Sequence, residues 1–110
     1  MSEVEGSASV SPDKYEAYRN DFIKSSNLFQ EALNDYTKTT EYHKKEQLKK
    51  TMDEAMKIMN QIVKAGLKKS EQTKEKKVSK DYTNYMKDGN SQNLKNLNDD
   101  LDDLQKSIKH

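Results

Sequence analysis

Leu48, Met52, Ala55, Met59 and Ile62 recur at alternating steps of four and three, which puts them on one stripe of an α-helix. Met56, Ile58 and Val63 widen that stripe, while Lys49, Lys50, Asp53, Lys57 and Lys64 lie off it. The pattern predicts a helix from about Glu41 through Val63, which Gly66 either ends or merely thins, and which touches more than one neighbour. Glu41/Lys45, Glu46/Lys50 and Asp53/Lys57 stand along it in the favourable i,i+4 order. A first helix precedes it, from Pro12 to about Lys38. Tyr15, Tyr18, Phe22, Phe29, Ala32 and Tyr36 occupy its heptad a and d positions, with Ser25 as the polar interruption and Ile23, Leu28 and Leu33 flanking the seam. Such a helix is roughly 40 Å long and needs a partner to be stable. Ser11 can cap it, Pro12 suits its first position, Asp13 complements its positive end, and Val10 and Tyr15 are spaced for a hydrophobic staple. Thr37, Thr39 and Thr40 then crowd together, and the seam loses register at His43, Gln47 and Lys50. Branched residues favour helix ends over interiors, so a tight turn near Thr39 and an antiparallel hairpin over 12–67 are expected.

Beyond Gly66 the pattern weakens. Lys68 to Lys80 carries six lysines and two glutamates around one apolar residue, Val78. It reads as a solvated helical extension or a flexible link, and is taken as a basic link over 68–80 ahead of C-terminal helices over 81–109. Val78, Tyr82, Tyr85 and Met86 form a short amphipathic segment. Asp88-Gly89-Asn90-Ser91 is a break: Gly89 suits a left-handed helix end, and Asn90 or Ser91 can cap the last helix. Leu94, Leu97, Leu101, Leu104 and Ile108 then make a strict seam. Its flanking positions encode no complementary self-pairing, although self-association through this seam is the competing outcome. The helix is expected to fold back on the hairpin, with Asp99, Asp102 and Asp103 toward the lysines of the second helix.

The fold class is therefore all-α: an antiparallel helical hairpin extended to a three- or four-helix bundle with coiled-coil-like packing, as one domain over 11–110 behind a disordered tail over 1–10. Composition narrows it further. The chain has 110 residues, 31% hydrophobic and 35% charged, with only three Gly and one Pro. A core that small fits between helices and leaves no room for a deep internal pocket. Twenty basic against 19 acidic residues give no overall pull toward nucleic acid or an anionic membrane. Arg19 is the only arginine, there is no cysteine, and no apolar run is long enough to span a bilayer. The N-terminus lacks the apolar core of an ordinary signal peptide, so the expected location is the cytoplasm, or outside the cell by another export route.

Candidate chemistry is sparse. His43 and His110 share no metal-like spacing with each other or with Cys. Asp99, Asp100, Asp102 and Asp103 flank Leu101 as a solvated acidic face, and Asp88-Gly89-Asn90 does not extend into a calcium loop. No nucleophile–base arrangement or glycine-rich phosphate loop appears, so no enzyme, metal or cofactor is expected. The lysine stretch has the charge for nucleic acid but interleaves Glu71 and Glu75 and lacks arginine, so nucleic acid is the third choice of partner. Aromatic and methionine side chains on the first two helices suit adaptable helix packing. The candidate partner-binding residues are Tyr18, Phe22, Phe29, Met52, Met56 and Met59.

The two long helices over 12–67 resemble, in size and layout, the small helical hairpins of specialised bacterial secretion systems, both secreted substrates and their co-chaperones. The Trp-x-Gly turn of one such family is replaced by Thr37-Lys38-Thr39-Thr40. The resemblance implies a chaperone-like or exported helical protein and assigns no residue a role. The expected function is a non-enzymatic interaction module: an adaptor, small chaperone or assembly subunit that binds a helical partner. The alternative is a secreted or phage-like helical effector that blocks a target protein.

Overall fold

In the computed structural model, which describes residues 12–109, four helices follow one another with short connections: α1 (Pro12–Lys38), α2 (Tyr42–Gly66), α3 (Lys69–Lys87) and α4 (Ser91–Lys109). The expected tail Met1–Val10, the Ser11 cap and the Val10–Tyr15 staple lie outside the described residues. Each helix packs on its neighbours in sequence, α4 closes back on α1, and no diagonal pair touches along its backbone. The result is an up-down-up-down four-helix bundle measuring 54 × 23 × 22 Å, with no strand among the described residues. It consists of two hairpins, α1/α2 and α3/α4, each packed more extensively within itself than against the other.

The first hairpin follows its periodicity. Phe22, Phe29 and Leu33 of α1 and Met52, Ala55 and Met59 of α2 are fully buried. At about 25 cal/mol per Å2 of apolar surface removed from water, such contacts dominate the folding of a chain this polar. The turn falls at 39–41, where the Thr39 amide closes the last turn of α1 on the Asp35 carbonyl at 3.0 Å and the Glu41 amide donates to Thr39 Oγ1 at 3.3 Å. The three expected i,i+4 ion pairs do not form. Lys45 lies 5.1 Å from the centre of the Tyr36 ring, Asp53 accepts a hydrogen bond from Tyr82, and Glu41 pairs instead with Lys44 at 3.6 Å. Exposed pairs of this kind contribute little, so their absence costs the hairpin little.

The second hairpin departs from its expected layout. The stretch 68–80 is not a link: α2 ends at Gly66, Leu67 and Lys68 are extended, and α3 runs from Lys69 to Lys87. Leu67 is buried and anchors this two-residue joint, and Glu71 caps α3 by accepting the Lys68 amide at 3.0 Å. At the second turn Asp88, rather than a left-handed glycine, ends α3, and Gly89 stays outside the left-handed region. Asn90 caps α4 by accepting the Asn93 amide at 2.7 Å. The fold-back expectation holds, with a correction to its partner. Leu97, Leu101, Leu104 and Ile108 are buried, but α4 packs along α3 and α1, and its backbone stays clear of α2. Its acidic side meets the lysine stretch, through Lys74–Asp103 at 3.4 Å and Lys77–Asp100 at 3.5 Å.

Polar groups fix the ring. Gln105 donates to Ser26 Oγ at 3.3 Å and to Asn27 Oδ1 at 3.2 Å, and the small buried pair Ser25 and Ser26 lets α4 approach α1. Arg19 donates from Nε to the Ile108 carbonyl at 2.5 Å, satisfying an orphan acceptor in the last turn of α4. The sole arginine is therefore a structural clasp between the first and last helices. Across the core, Phe29 meets Tyr82 edge-to-face at 5.0 Å and Tyr36 meets Tyr85 at 6.2 Å.

Candidate functional site

The six residues expected to contact a partner divide unevenly. Phe22, Phe29, Met52, Met56 and Met59 are buried in the core, and Tyr18 is half-buried against it. In this arrangement they hold the bundle together and none of the five is presented to solvent. Two other features stand out, one on the surface and one inside.

The surface feature is the outer face of the first hairpin. Successive residues turn by about 100° around a helix. On α1, Arg19, Ser26 and Asn27 point toward the second hairpin, as do Asp53 and Asn60 on α2. Leu28 and Ile58 lie on the opposite side, and are 46% and 41% exposed. Ala17 and Ala65 are exposed on that same side, with Asp21 and Lys24 of α1 and Gln61 of α2 between them and the two larger residues. Toward the turn this face becomes a polar groove lined by Asp35, Lys44, Gln47 and Thr51. Leu28 carried a signal in the sequence, as an apolar residue beside the a/d seam. Ile58 did not, because it reads as part of the core stripe.

The internal feature is a set of carboxylates along α3. Glu71 is 3% exposed and Glu75 2% exposed, although both read as solvated in the sequence. Burying a carboxylate is costly unless its charge is neutralised or hydrogen-bonded. Glu71 is satisfied from two sides, by the Tyr15 hydroxyl at 3.0 and 3.1 Å and by the Lys68 amide. Burial and this bond together raise the Tyr15 pKa. Glu75 faces the Asn60 amide, which donates to both of its oxygens, 3.3 Å from Oε1, once the amide is turned so that its nitrogen meets the carboxylate. Burial pushes the Glu75 carboxyl up to about 7, with Lys76 opposing. Asp81 faces Asp100 across the α3/α4 contact. Burial first, and then this neighbour, raise Asp81 to about 6, against Lys77 and Lys80. Its Oδ2 is buried without a hydrogen-bond partner. Tyr82 donates to Asp53, and burial and that carboxylate raise its pKa as well. Proton occupancy at Glu75 and Asp81 therefore changes near neutral pH, at the α2/α3 and α3/α4 contacts.

A groove of 420 Å3 lies between α2 and α3, lined by Asn60, Val63 and Lys64 on one side and Glu75, Lys76, Ser79, Lys80 and Thr83 on the other. Among the described residues, no group of His, Cys, Asp and Glu is arranged to hold a metal ion. No described helix is long and apolar enough to cross a membrane. Comparison with protein-family models, with curated proteins and with solved structures finds no match to the chain.

Proposed function

We infer that this protein is a non-enzymatic protein–protein interaction module, an adaptor or assembly subunit, and that it binds a helical segment of its partner along the outer face of α1/α2. The supporting observation is the placement of Leu28 and Ile58. Two of the three large hydrophobics exposed among the described residues share the one hairpin face that the rest of the bundle leaves uncovered. Exposed apolar side chains on neighbouring antiparallel helices, set among charges, are anchor points for the apolar stripe of a third helix. The five buried aromatic and methionine candidates support the same reading indirectly, since they make the hairpin a rigid platform.

Leu28→Asp with Ile58→Asp tests this. Both side chains are exposed, so the double variant should keep the helical circular dichroism and melting temperature of the wild type. A protein captured by wild type from the source cells, and bound again when the two are purified and mixed, should be lost by the double variant. Equal retention by wild type and variant would remove this face from the function.

A further inference from the structure

The lysines of 68–80 do not form one basic patch; the helix sorts them. Lys74 and Lys77 turn toward α4 and pair with Asp103 and Asp100. Lys76 and Lys80 turn the other way, into the groove that Lys64 of α2 borders from the opposite side. None of these last three has a carboxylate within ion-pairing distance among the described residues. The acidic groups nearest the groove are engaged by neutral donors: Glu75, which lines it, faces Asn60, and Asp53 accepts from Tyr82. The chain is close to neutral overall, with a formal net charge of +1, so this concentration of unpaired cations is local.

We propose that the α2/α3 groove is a second docking surface, which takes an acidic helical segment of a partner protein by placing its carboxylates against Lys64, Lys76 and Lys80. The proposal rests on the interaction-module reading and extends it: an adaptor needs two faces, and this groove lies on the opposite side of α2 from Ile58. Charge complementarity favours an acidic peptide. Ser79, Thr83 and the Asn60 amide offer polar contacts, and Val63 gives the groove an apolar floor. Among the described residues lining it, the groove has neither an arginine nor an aromatic ring for nucleic acid. The sole arginine is committed to the Ile108 carbonyl, and Tyr82 and Tyr85 are buried rather than offered for base stacking.

Glu75 gives the site a signature that surface lysines alone would lack. The charged or titratable groups around it are Lys64 from α2, and Lys76, Lys80 and Glu71 from α3, with Tyr15 of α1 reaching Glu71. Asp100 and Asp103 of α4 lie against the other side of α3, beyond Lys77 and Lys74. An anion bound over Glu75 disfavours its ionised form, so binding takes up a proton and tightens as the pH falls through about 7.

The probe is a short amphipathic helical peptide with glutamates on one face, titrated into the full chain at low and moderate salt and followed by amide chemical shifts. Shifts at Asn60, Val63, Ser79 and Thr83 are expected, with affinity rising from pH 8 to pH 6. Lys64→Glu with Lys76→Glu and Lys80→Glu should weaken binding by about tenfold or more, since three partly screened charge pairs become repulsive. Lys24→Glu with Lys38→Glu and Lys87→Glu, the same change in net charge elsewhere, should leave it nearly unchanged. Glu75→Gln should remove the pH dependence and keep the binding. The proposal is overturned if the control variant loses as much affinity, if the pH dependence survives Glu75→Gln, or if an oligonucleotide of equal charge binds more tightly than the peptide. Shifts confined to the Leu28 and Ile58 face would also overturn it. The outer-face reading fails by its own test, because Leu28→Asp with Ile58→Asp leaves this groove intact.

Discussion

The two hairpins share one architecture and are held by different forces. The α1/α2 contact is built from Phe22, Phe29, Leu33, Met52, Ala55 and Met59, all buried and all indifferent to protons. The core-facing stripe of α3 is Glu71, Glu75, Val78, Tyr82 and Tyr85, two carboxylic acids and two phenols around one valine. Apolar contacts tolerate imprecise geometry, whereas each buried polar group needs its partner in place. The first hairpin is thus the platform, and the second is the half whose attachment depends on hydrogen-bond geometry and pH.

The largest expected effect falls on the platform. Phe29→Ala should cost roughly 3–5 kcal/mol, a large share of a small domain's stability. Phe29 also meets Tyr82 of the second hairpin, so the change breaks both halves. Thermal melts at pH 5 and pH 8 should fall by similar amounts. A loss confined to high pH would mean that the two hairpins are not governed by separate forces.

Next comes pH itself. Glu75 is raised to about 7 from an ordinary 4.5, and Asp81 to about 6 from 3.8, so the folded chain binds protons that the unfolded chain releases. The stabilisation from these protons is complete below the unfolded values and is lost as the pH rises through about 6 and then 7. The wild type should therefore be more stable at pH 5 than at pH 8. Glu75 contributes on the order of 2–3 kcal/mol to the difference. Urea melts of wild type and Glu75→Gln across that range provide the check, and Gln should flatten most of the slope.

The sequence made the platform legible because its signals are local. The Leu48–Ile62 stripe, the a/d seam of α1, the threonine-marked turn and the Leu94–Ile108 seam all follow from spacing along one helix. The basic stretch was illegible for the opposite reason. Glu71, Glu75, Val78, Tyr82 and Tyr85 do recur at helical spacing, but two of the five carry charge, and a carboxylate counts as buried only once its partner is known. Tyr15 lies 56 residues away from Glu71, and Asn60 sits on another helix. That five of the six candidate contact residues lie in the core reflects the same limit. Periodicity separates a buried stripe from a wet face, but does not say which apolar residues a third and fourth helix will leave uncovered. Leu28 and Ile58 emerge only once α3 and α4 are seen to occupy the other side.

A smaller effect sharpens the contrast. Tyr15→Phe removes one donor from buried Glu71 and leaves the Lys68 amide, so it should cost about 1–3 kcal/mol. Hydrogen exchange should report the loss at the start of α3 before it reaches α2. If protection falls evenly through the bundle, the halves unfold as one unit.

Smallest of all is Lys77→Ala. Its pair with Asp100 is exposed on the lysine side, and exposed pairs are worth about 1 kcal/mol at most. A larger change in the denaturation midpoint would show that Lys77 also shields the Asp81–Asp100 contact.

The clasp between Arg19 and Ile108 has a mechanical consequence. Helices α1 and α4 run antiparallel, so the start of one and the end of the other lie at the same end of the bundle. Force applied through these two points opens the α1/α4 seam like a zipper, one contact at a time, rather than shearing all its contacts at once. Rupture begins at the guanidinium and reaches Gln105 next. Pulled this way in an optical trap, the chain should yield at low force, with α4 peeling away while the α1/α2 hairpin is still intact.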